Sequence, residues 1–353
     1  MKNETIIVPH PNKTINETEL FQKYKSSFSS AFIDLSVHSF ILCSSVYALW
    51  FFRNSWLSIF TIPFLGLLNI KTFMIFHDCG HNSYTPNKTL NYIIGLLLSG
   101  FISHPFFWNY NHNTHHNVNG NIENKYNYTF NETTFHTLKK YKSWSNTSRC
   151  LYKLIKTPLF FFTIPIYLKI LITHQFRIVS FVLYKTYDCN TPKIYLFMEQ
   201  IVSTCGLLLT LYICNLYDIL LVFLMSCFVG FTITVMLVHN EHTYNPSYVV
   251  GNNIWTYKDS GLRGSSFILI PKAFKYFFHG IEYHHIHHMN SKIPGYNLQN
   301  YHEEVVSKSN IFNNVVKLSM TDCYNNLWLV LYDEDNKKYI TFAEADEEIR
   351  KNK

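Results

Sequence analysis

Four long apolar blocks stand out against an otherwise polar chain. They cover residues 32–52, 55–76, 194–213 and 217–239. Each block is close to the roughly 20 apolar residues that a helix needs to cross a bilayer. The two blocks of each pair are joined by very short connections, Arg53 and Asn54 in the first pair and roughly residues 215–217 in the second. The pattern therefore predicts two helical hairpins that cross the membrane and return.

Two further apolar stretches, residues 89–108 and 158–184, are less regular. The second is interrupted by Pro165, Lys169, His174 and Arg177. We therefore predict interfacial or re-entrant helices in these two stretches. The predicted fold class is an all-α integral membrane protein. It has two transmembrane helical hairpins and a cap built from residues 109–157 and the segment after residue 240.

The same pattern divides the chain into three parts. Residues 1–30 form a polar N-terminal segment, residues 31–305 a single membrane domain, and residues 306–353 a polar C-terminal tail. The turns within the hairpins carry one basic residue, Arg53, and the long polar stretches hold nearly all the other Lys and Arg. The positive-inside rule predicts that these stretches, and the cap with them, are cytoplasmic. The membrane would be the plasma membrane in a bacterium and the endoplasmic reticulum in a eukaryotic host.

Composition excludes several classes of protein. With 48% hydrophobic and 15% charged residues, the chain is too apolar to be disordered. The 30 Lys and Arg exceed the 23 Asp and Glu by a net charge of +7, but the basic residues form no continuous stripe. We therefore predict no nucleic-acid binding. The 8 Cys are scattered without a CxxC pair, which favours reduced thiols over a disulfide framework or a zinc ribbon.

The histidines are grouped in a way that indicates a metal centre. In the first group, HDCGH, His77 and His81 stand four positions apart and share one helix face. The second group, HNTHH, and the third, HHIHH, both place histidines at positions i, i+3 and i+4. These trios are His112, His115 and His116, and His284, His287 and His288. On a helix each trio projects from one narrow face, and His285 falls to the side.

The number of imidazoles indicates two metal ions. Together the three groups exceed the four ligands of a structural zinc site. Imidazole suits Fe, Zn, Cu and Ni, and a setting at the lipid interface without a hydrolytic nucleophile favours redox chemistry and therefore iron. Neighbouring carboxylates are candidates to orient the rings by accepting hydrogen bonds. They are Asp78, Glu123, Glu241 and Glu282.

The order HDCGH, HNTHH, HHIHH around hydrophobic hairpins resembles the membrane-bound fatty acid desaturases. The run from Gly264 to Glu304, GSSFILIPKAFKYFFHGIEYHHIHHMNSKIPGYNLQNYHEE, resembles the C-terminal region of bacterial-type acyl-lipid desaturases of the omega-6 (Δ12) and Δ5 group. The run FFWNYNHNTHHNVNGNIEN, from Phe106 to Asn124, resembles the same group. The resemblance covers most of the chain from about residue 30 to residue 305. Three motifs in the correct order make it specific.

The resemblance implies a non-haem di-iron centre held by histidines of the three motifs and one more at the end of the last span. The implied ligands in this sequence are His77, His81, His112, His115, His116, His239, His284, His287 and His288. The stretch LVHNEHTYN is one residue shorter than the usual form, which leaves His242 as an alternative to His239. The residues expected just outside the ligands are His285, Asp78, Glu123, Glu241 and His242.

The resemblance also implies the reaction. O2 is activated at the reduced di-iron centre, and two hydrogens leave adjacent methylenes of a lipid acyl chain, which gives a cis double bond and water. Such C–H bonds offer no acidic proton, so the metal centre must supply the oxidant and no other catalytic side chain is predicted. Phe106, Phe107 and Trp108 are candidates either to line the acyl tunnel or to anchor an interfacial helix.

Electrons must come from a separate protein, because the sequence contains no haem-binding HPGG motif and no flavin or nicotinamide fingerprint. A ferredoxin or cytochrome b5 is therefore implied. Five basic residues are candidates to attract an acidic carrier, or alternatively to contact anionic lipid. They are Lys139, Lys140, Lys142, Arg149 and Lys153.

Two other functions compete with desaturation. A related di-iron lipid or carotenoid hydroxylase or ketolase would use the same ligands and return oxygen to carbon. A zinc-binding transporter or receptor-like protein would instead place ionisable groups along a pathway within the spans. The spans hold few such groups, mostly near their ends, and the histidine motifs lie outside the apolar blocks.

Overall fold

A computed structural model describes residues 16–102, 104–124, 135–163 and 192–351. Most of the apolar stretch 158–184 and the first fifteen residues lie outside the described residues, so the predictions made for them stay predictions. The first helices are α1 (Glu17–Tyr24), α2 (Phe28–Phe52), α3 (Ser58–Gly80), α4 (Lys88–Phe101) and α5 (Trp108–Val118). Next come α6 (Leu138–Lys142), α7 (Asn146–Lys156), α8 (Pro158–Phe161), α9 (Lys193–Leu216) and α10 (Leu220–His242).

The C-terminal third consists of shorter elements. Its helices are α11 (Tyr257–Arg263), α12 (Lys275–Phe278), α13 (His284–Met289), α14 (Gly295–Lys308), α15 (Met320–Asn326) and α16 (Phe342–Lys351). Two 3₁₀ turns, Lys272–Phe274 and Ile281–Tyr283, flank α12. The strands are β1 (His136–Thr137), β2 (Phe267–Ile268), β3 (Lys317–Leu318), β4 (Leu331–Asp333) and β5 (Lys338–Ile340).

The all-α membrane fold is confirmed. Among the described residues, four helices are long and apolar enough to cross a membrane, and they are the four predicted by the apolar blocks: α2, α3, α9 and α10. The second and fourth extend further than their blocks, to Gly80 instead of residue 76 and to His242 instead of residue 239. Their last turns are polar but buried against neighbouring elements, so the apolar pattern ends before the helix does.

Glycines allow the spans and α4 to approach each other closely. A Cβ on Gly230 of α10 would lie 2.4 Å from the carbonyl oxygen of Gly66 on α3. A Cβ on Gly100 of α4 would lie 2.6 Å from Cα of Gly206 on α9. Close contact of small residues is the usual way in which helices pack inside a membrane. The 14-residue α4 is only about 21 Å long, at about 1.5 Å per residue, and is therefore too short to cross alone.

We expect Gly100→Val to separate α4 from α9. Valine would lower the free energy of unfolding by about 1–3 kcal/mol, because its side chain meets backbone that cannot yield. The expected readout is a lower Tm of the purified protein in detergent. Leu97→Val is the matched control, because Leu97 is 73% exposed on the same helix and takes the same β-branched residue. Equal Tm values for the two variants would contradict this packing.

The region after residue 306 folds back onto the segment that follows the second histidine motif. Strand β4 pairs in parallel with β1 and antiparallel with β5, and β2 pairs in parallel with β3. Helix α16 packs over α6 and α7 around a core that contains Tyr141, Leu331 and Ala345. These two small sheets were not predicted, because strands of two or three residues are too short to show a period of two.

Ion pairs join the same two regions. Lys139 Nζ lies 3.0 Å from Asp335 Oδ1, and Lys142 Nζ lies 3.6 Å from Glu348 Oε2. Lys153 pairs with Asp346. Three of the five basic residues that were candidates to attract an electron carrier thus have acidic partners in the C-terminal region.

Candidate metal centre

The histidine motifs meet at one end of the helical bundle. The first occupies the last turn of α3 and the residue after it, the second lies in α5, and the third forms most of α13. The last turn of α10 adds His242. The structure assembles these histidines into two neighbouring groups, in which the nitrogens able to bind a metal lie within 4.8 Å of one another.

The first group, called the five-histidine group, takes residues from all three motifs. Its members are His77, His81, His112, His116 and His287. The Nε2 atoms of His77 and His112 are 2.8 Å apart, and those of His112 and His116 are 3.1 Å apart. The Nε2 atom of His287 lies 3.0 Å from that of His116. These nitrogens therefore converge on one small volume.

The second group, called the four-histidine group, combines the second and third motifs with α10. Its members are His115, His242, His284 and His288. The Nε2 atom of His242 is central, at 3.0 Å from that of His115 and 2.9 Å from that of His284. The two groups touch where the rings of His116 and His288 stack, with centroids 4.1 Å apart and planes inclined by 20°.

The nitrogen positions fit bound metal ions. Two imidazole nitrogens at about 2.1 Å from one ion and at a right angle to each other would be about 3.0 Å apart, which matches the spacing in both groups. Among the described residues, Nε2 of His81 and both ring nitrogens of His288 are buried and have no hydrogen-bond partner. An unpaired buried polar atom is costly, and a metal ion would supply the missing partner.

The surroundings keep the rings in the form that binds metal. Burial, and then the charge that neighbouring imidazoles would carry, holds the pKa of His81, His112, His115 and His116 well below its usual value. The same two causes lower the pKa of His284, His287 and His288. These imidazoles are therefore neutral near pH 7, and a neutral imidazole has a lone pair to offer.

Three oxygen atoms face the rings from behind. Asp78 Oδ1 lies 3.3 Å from Nδ1 of His77, and Glu241 Oε2 lies 3.4 Å from Nδ1 of His284. The carbonyl oxygen of Gly264 lies 3.0 Å from Nδ1 of His242. An acceptor at Nδ1 fixes the tautomer that leaves the Nε2 lone pair for a metal. Each group thus contains at least one ring that is oriented in this way.

Several residues predicted at the site lie outside both groups. His239 Nε2 is 2.9 Å from the carbonyl oxygen of Asn326, nearly one turn of α10 before His242. Glu123 is exposed and accepts a hydrogen bond from the Asn252 N–H. His285 is fully buried, with its ring centroid 4.6 Å from that of Phe312.

Glu282 lies near the third motif and Trp108 near the second, and both are buried. Glu282 is 1% exposed, and burial raises its pKa to about 7, but it belongs to neither histidine group. Trp108 is buried and stacks on His112, with ring centroids 4.6 Å apart and planes inclined by 16°. Trp108 therefore contacts the five-histidine group and does not anchor the helix in lipid.

The sequence assigned no role to His279, which is 5% exposed and contacts Asp78. It has no histidine at helical spacing within its own segment, so the spacing argument could not find it. The one signal in the sequence is the neighbouring Gly280. In the structure, both residues have a positive φ.

The fold and the site define a helical membrane protein with two neighbouring groups of histidines that could hold metal ions. A family model described as fatty acid desaturase matches residues 54–310. The chain is 29% identical to a fatty acid desaturase of Bacillus subtilis, over 84% of this chain and 82% of that protein. The chain belongs to the fatty acid desaturase family, which confirms the resemblance seen in its motifs and makes it an oxidoreductase.

Shorter similarities to other desaturases point the same way. The chain is 39% identical to an sn-1 acyl-lipid omega-3 desaturase (ferredoxin) of Synechocystis over 21% of each chain. It is 28% identical to a Delta(12) fatty acid desaturase of Calendula officinalis, over 26% of this chain and 24% of that protein. These relatives differ in the position of the double bond that their names give, so the similarity extends to the class of reaction and not to the position.

Proposed function

We propose that this protein is an O2-dependent di-iron desaturase that introduces a cis double bond into the acyl chain of a membrane lipid. The observation that carries the proposal is the convergence of nine buried or half-buried histidines into two neighbouring groups in a chain of the desaturase family. Imidazole-only groups of this kind suit iron. The acyl-lipid substrate is supported by the relative from Synechocystis, whose name gives that substrate.

The ligand set that we propose differs at one position from the set implied by the sequence. The five-histidine group would hold one iron and the four-histidine group the other. His242 takes the place of His239, because its Nε2 lies among the other nitrogens and that of His239 faces Asn326. Asp78 would stay outside the ligands and orient His77. Glu241 would also stay outside, 3.4 Å behind Nδ1 of His284.

The chemistry follows from what these residues provide. When bound, the irons supply the O2 activation that removes two hydrogens from adjacent methylenes. With two electrons and two protons added, one O2 becomes two water molecules and the acyl chain gains one double bond. The neutral rings hold the metals, the acceptors behind them fix the tautomers, and the buried surroundings keep bulk water away from the reacting carbons. Trp108 fixes the plane of His112 by stacking on it.

The electron donor in this proposal is a separate ferredoxin or cytochrome b5. A small acidic carrier would be steered by positive potential. Of the basic residues predicted to provide it, Lys139, Lys142 and Lys153 are paired with C-terminal acids, which weakens their field at a distance. The relative from Synechocystis is named for ferredoxin, which supports a carrier of that type.

The proposal includes an orientation in the membrane. The two hairpins α2–α3 and α9–α10 each have a short turn at one end, and the histidine motifs lie at the other end. Because the long polar stretches carry most of the Lys and Arg, we place the metal centre on the cytoplasmic side. The membrane is then the plasma membrane in a bacterium and the endoplasmic reticulum in a eukaryotic host.

Expression in a yeast or bacterium that has its own electron carriers tests the reaction. Gas chromatography with mass spectrometry of total fatty acid methyl esters is expected to show new species that have lost two hydrogens. A double variant, His115→Ala with His116→Ala, is expected to lack them. Species that have gained one oxygen would replace this proposal with a hydroxylase or ketolase. Purified protein that contains zinc alone and gives no product would favour a transporter or receptor-like protein.

A further inference from the structure

His279 lies between two carboxylates directly behind the five-histidine group. The side chain of His279 is buried. The φ angle of His279 is 53°, and that of the next residue, Gly280, is 80°. A positive φ is uncommon outside glycine, so the chain adopts it here against local preference. The turn points the imidazole between Asp34 of α2 and Asp78 of α3.

Asp78 connects His279 to a proposed iron ligand. Its Oδ1 faces Nδ1 of His77 at 3.3 Å. Its Oδ2 accepts a hydrogen bond from the Gly295 N–H at 2.7 Å, and Nε2 of His279 lies 3.5 Å from the same oxygen. The Gly295 N–H therefore holds the carboxylate by a hydrogen bond. Nε2 of His279 is buried and faces the same oxygen without a hydrogen-bond partner of its own among the described residues, and the other carboxylate oxygen is left facing His77.

The opposite edge of His279 decides which of its nitrogens carries the proton. Nδ1 lies 3.3 Å from Nζ of Lys71, and an ammonium group can only donate. Nδ1 of His279 therefore accepts at this contact, which is shorter than its 3.8 Å approach to Asp34 Oδ2. The proton is then left on Nε2, which lies 3.5 Å from Asp78 Oδ2. Lys71 is held in turn by Asp34, with Nζ 2.7 Å from Oδ1.

Gly295 provides the space for this arrangement. A Cβ at residue 295 would lie 2.4 Å from Cδ2 of His279 and 2.2 Å from its carbonyl oxygen. The same residue donates its N–H to Asp78. One glycine thus admits the imidazole and donates the hydrogen bond that holds the carboxylate.

We propose that His279 is a positioning residue, which holds Asp78 so that the lone pair on Nε2 of His77 points into the five-histidine group. The contacts run from Lys71 to Nδ1 of His279 at 3.3 Å, from Nε2 of His279 to Asp78 Oδ2 at 3.5 Å, and from Asp78 Oδ1 to Nδ1 of His77 at 3.3 Å. This inference rests on the proposed function, because it assigns to the residue a role in holding one of the two irons. Outer partners of this kind contribute about 10–100-fold to metal affinity.

Two substitutions at residue 279 distinguish the effect of losing the N–H donor from the effect of the positive φ. His279→Gln keeps an N–H at nearly the reach of Nε2, whereas His279→Met has a similar length and no donor. Both place an unbranched side chain at the same positive φ, so they share that cost. His38→Gln is the control for disturbing the bundle, because His38 is buried and its Nε2 contacts Thr72 at 2.9 Å.

The measurement is a titration of the detergent-purified, metal-free full chain with Fe(II) against a competing chelator. We expect His279→Met to weaken one of the two iron sites by about 10–100-fold and to leave the other unchanged. His279→Gln is expected to restore most of that affinity, and His38→Gln to match the wild type. If the His279→Met and His279→Gln variants both bind two irons as tightly as the wild type, His279 has no positioning role.

A double-mutant cycle tests whether His279 acts through Asp78. In a protein that already carries Asp78→Asn, the change His279→Met is expected to cause no further loss of iron affinity, since the two residues form one unit. Full additivity of the two losses would overturn the inference, because His279 would then act only on the stability of the fold. A wild-type protein that binds no iron would overturn the proposed function and this inference with it.

Discussion

Replacement of His116 by alanine is expected to abolish desaturation and to cost the protein both of its irons. His116 is the residue through which the two groups touch. Its Nε2 lies 3.1 Å from that of His112 and 3.0 Å from that of His287, and its ring stacks on His288. Because residues that only orient a ligand are worth about 10–100-fold, we expect the loss of a ligand to exceed about 100-fold in product formed.

The measurement combines two readouts on the same preparation. Iron per protein is determined by elemental analysis, and unsaturated fatty acid is quantified per folded protein. His302→Ala is the control, because His302 is half-buried, stacks on Phe312 and belongs to neither group. A His116→Ala protein that keeps two irons and its product would show that the two groups do not hold the metals.

Substitutions at His242 and His239 are expected to have opposite outcomes. His242→Ala removes the nitrogen that lies 3.0 Å from His115 and 2.9 Å from His284. We therefore expect the four-histidine group to lose its iron and activity to fall by more than about 100-fold, again on the scale set by orienting residues. His239→Ala removes a contact with the Asn326 carbonyl oxygen and an edge-to-face contact with Phe162. Neither contact involves a histidine group, so we expect two irons and nearly full activity.

The pair is a direct test of the revised ligand set. Both residues are histidines at the C-terminal end of α10, three positions apart. General damage to the helix would therefore affect the two variants alike. Iron content and fatty acid products are measured for each variant at equal amounts of folded protein. Loss of iron in the His239 variant, with retention in the His242 variant, would restore the ligand set implied by the sequence.

Local spacing explains how much of the site was predictable. The i, i+3 and i+4 positions place the histidines of each motif on one helix face, and the apolar blocks give the four spans. Neither pattern states which rings from different motifs share a metal. His115 and His116 are adjacent in the chain yet belong to different groups, and that division depends on how α5 packs against α10 and α13.

The change from His239 to His242 has a similar cause. Hydropathy ends the last span at residue 239, because the following residues are polar. The helix continues to His242, since Asn240, Glu241 and His242 are buried by neighbouring segments. Tertiary contacts of this kind leave no periodic signal in the sequence, and neither does the role inferred for His279.

The C-terminal region shows the same limit on a larger scale. Its polar composition predicted a tail, and the structure forms strands β4 and β5 with α16 against α6 and α7. The strands are two or three residues long, and β1 is separated from β4 by almost two hundred positions in the chain. Pairing between strands so far apart in the chain depends on tertiary contacts, which a short stretch of sequence does not reveal.

Both histidine groups include members of the third motif, and this has a consequence for how the protein is made. A ribosome delivers His77 about 200 residues before His284, which is roughly 10–40 s at about 5–20 residues per second. During that interval the nascent chain offers the first two motifs without the residues that complete either group. On the proposed ligand set, both metal sites are therefore complete only after the second hairpin and α13 have been synthesised, so full metal loading would follow synthesis of the third motif.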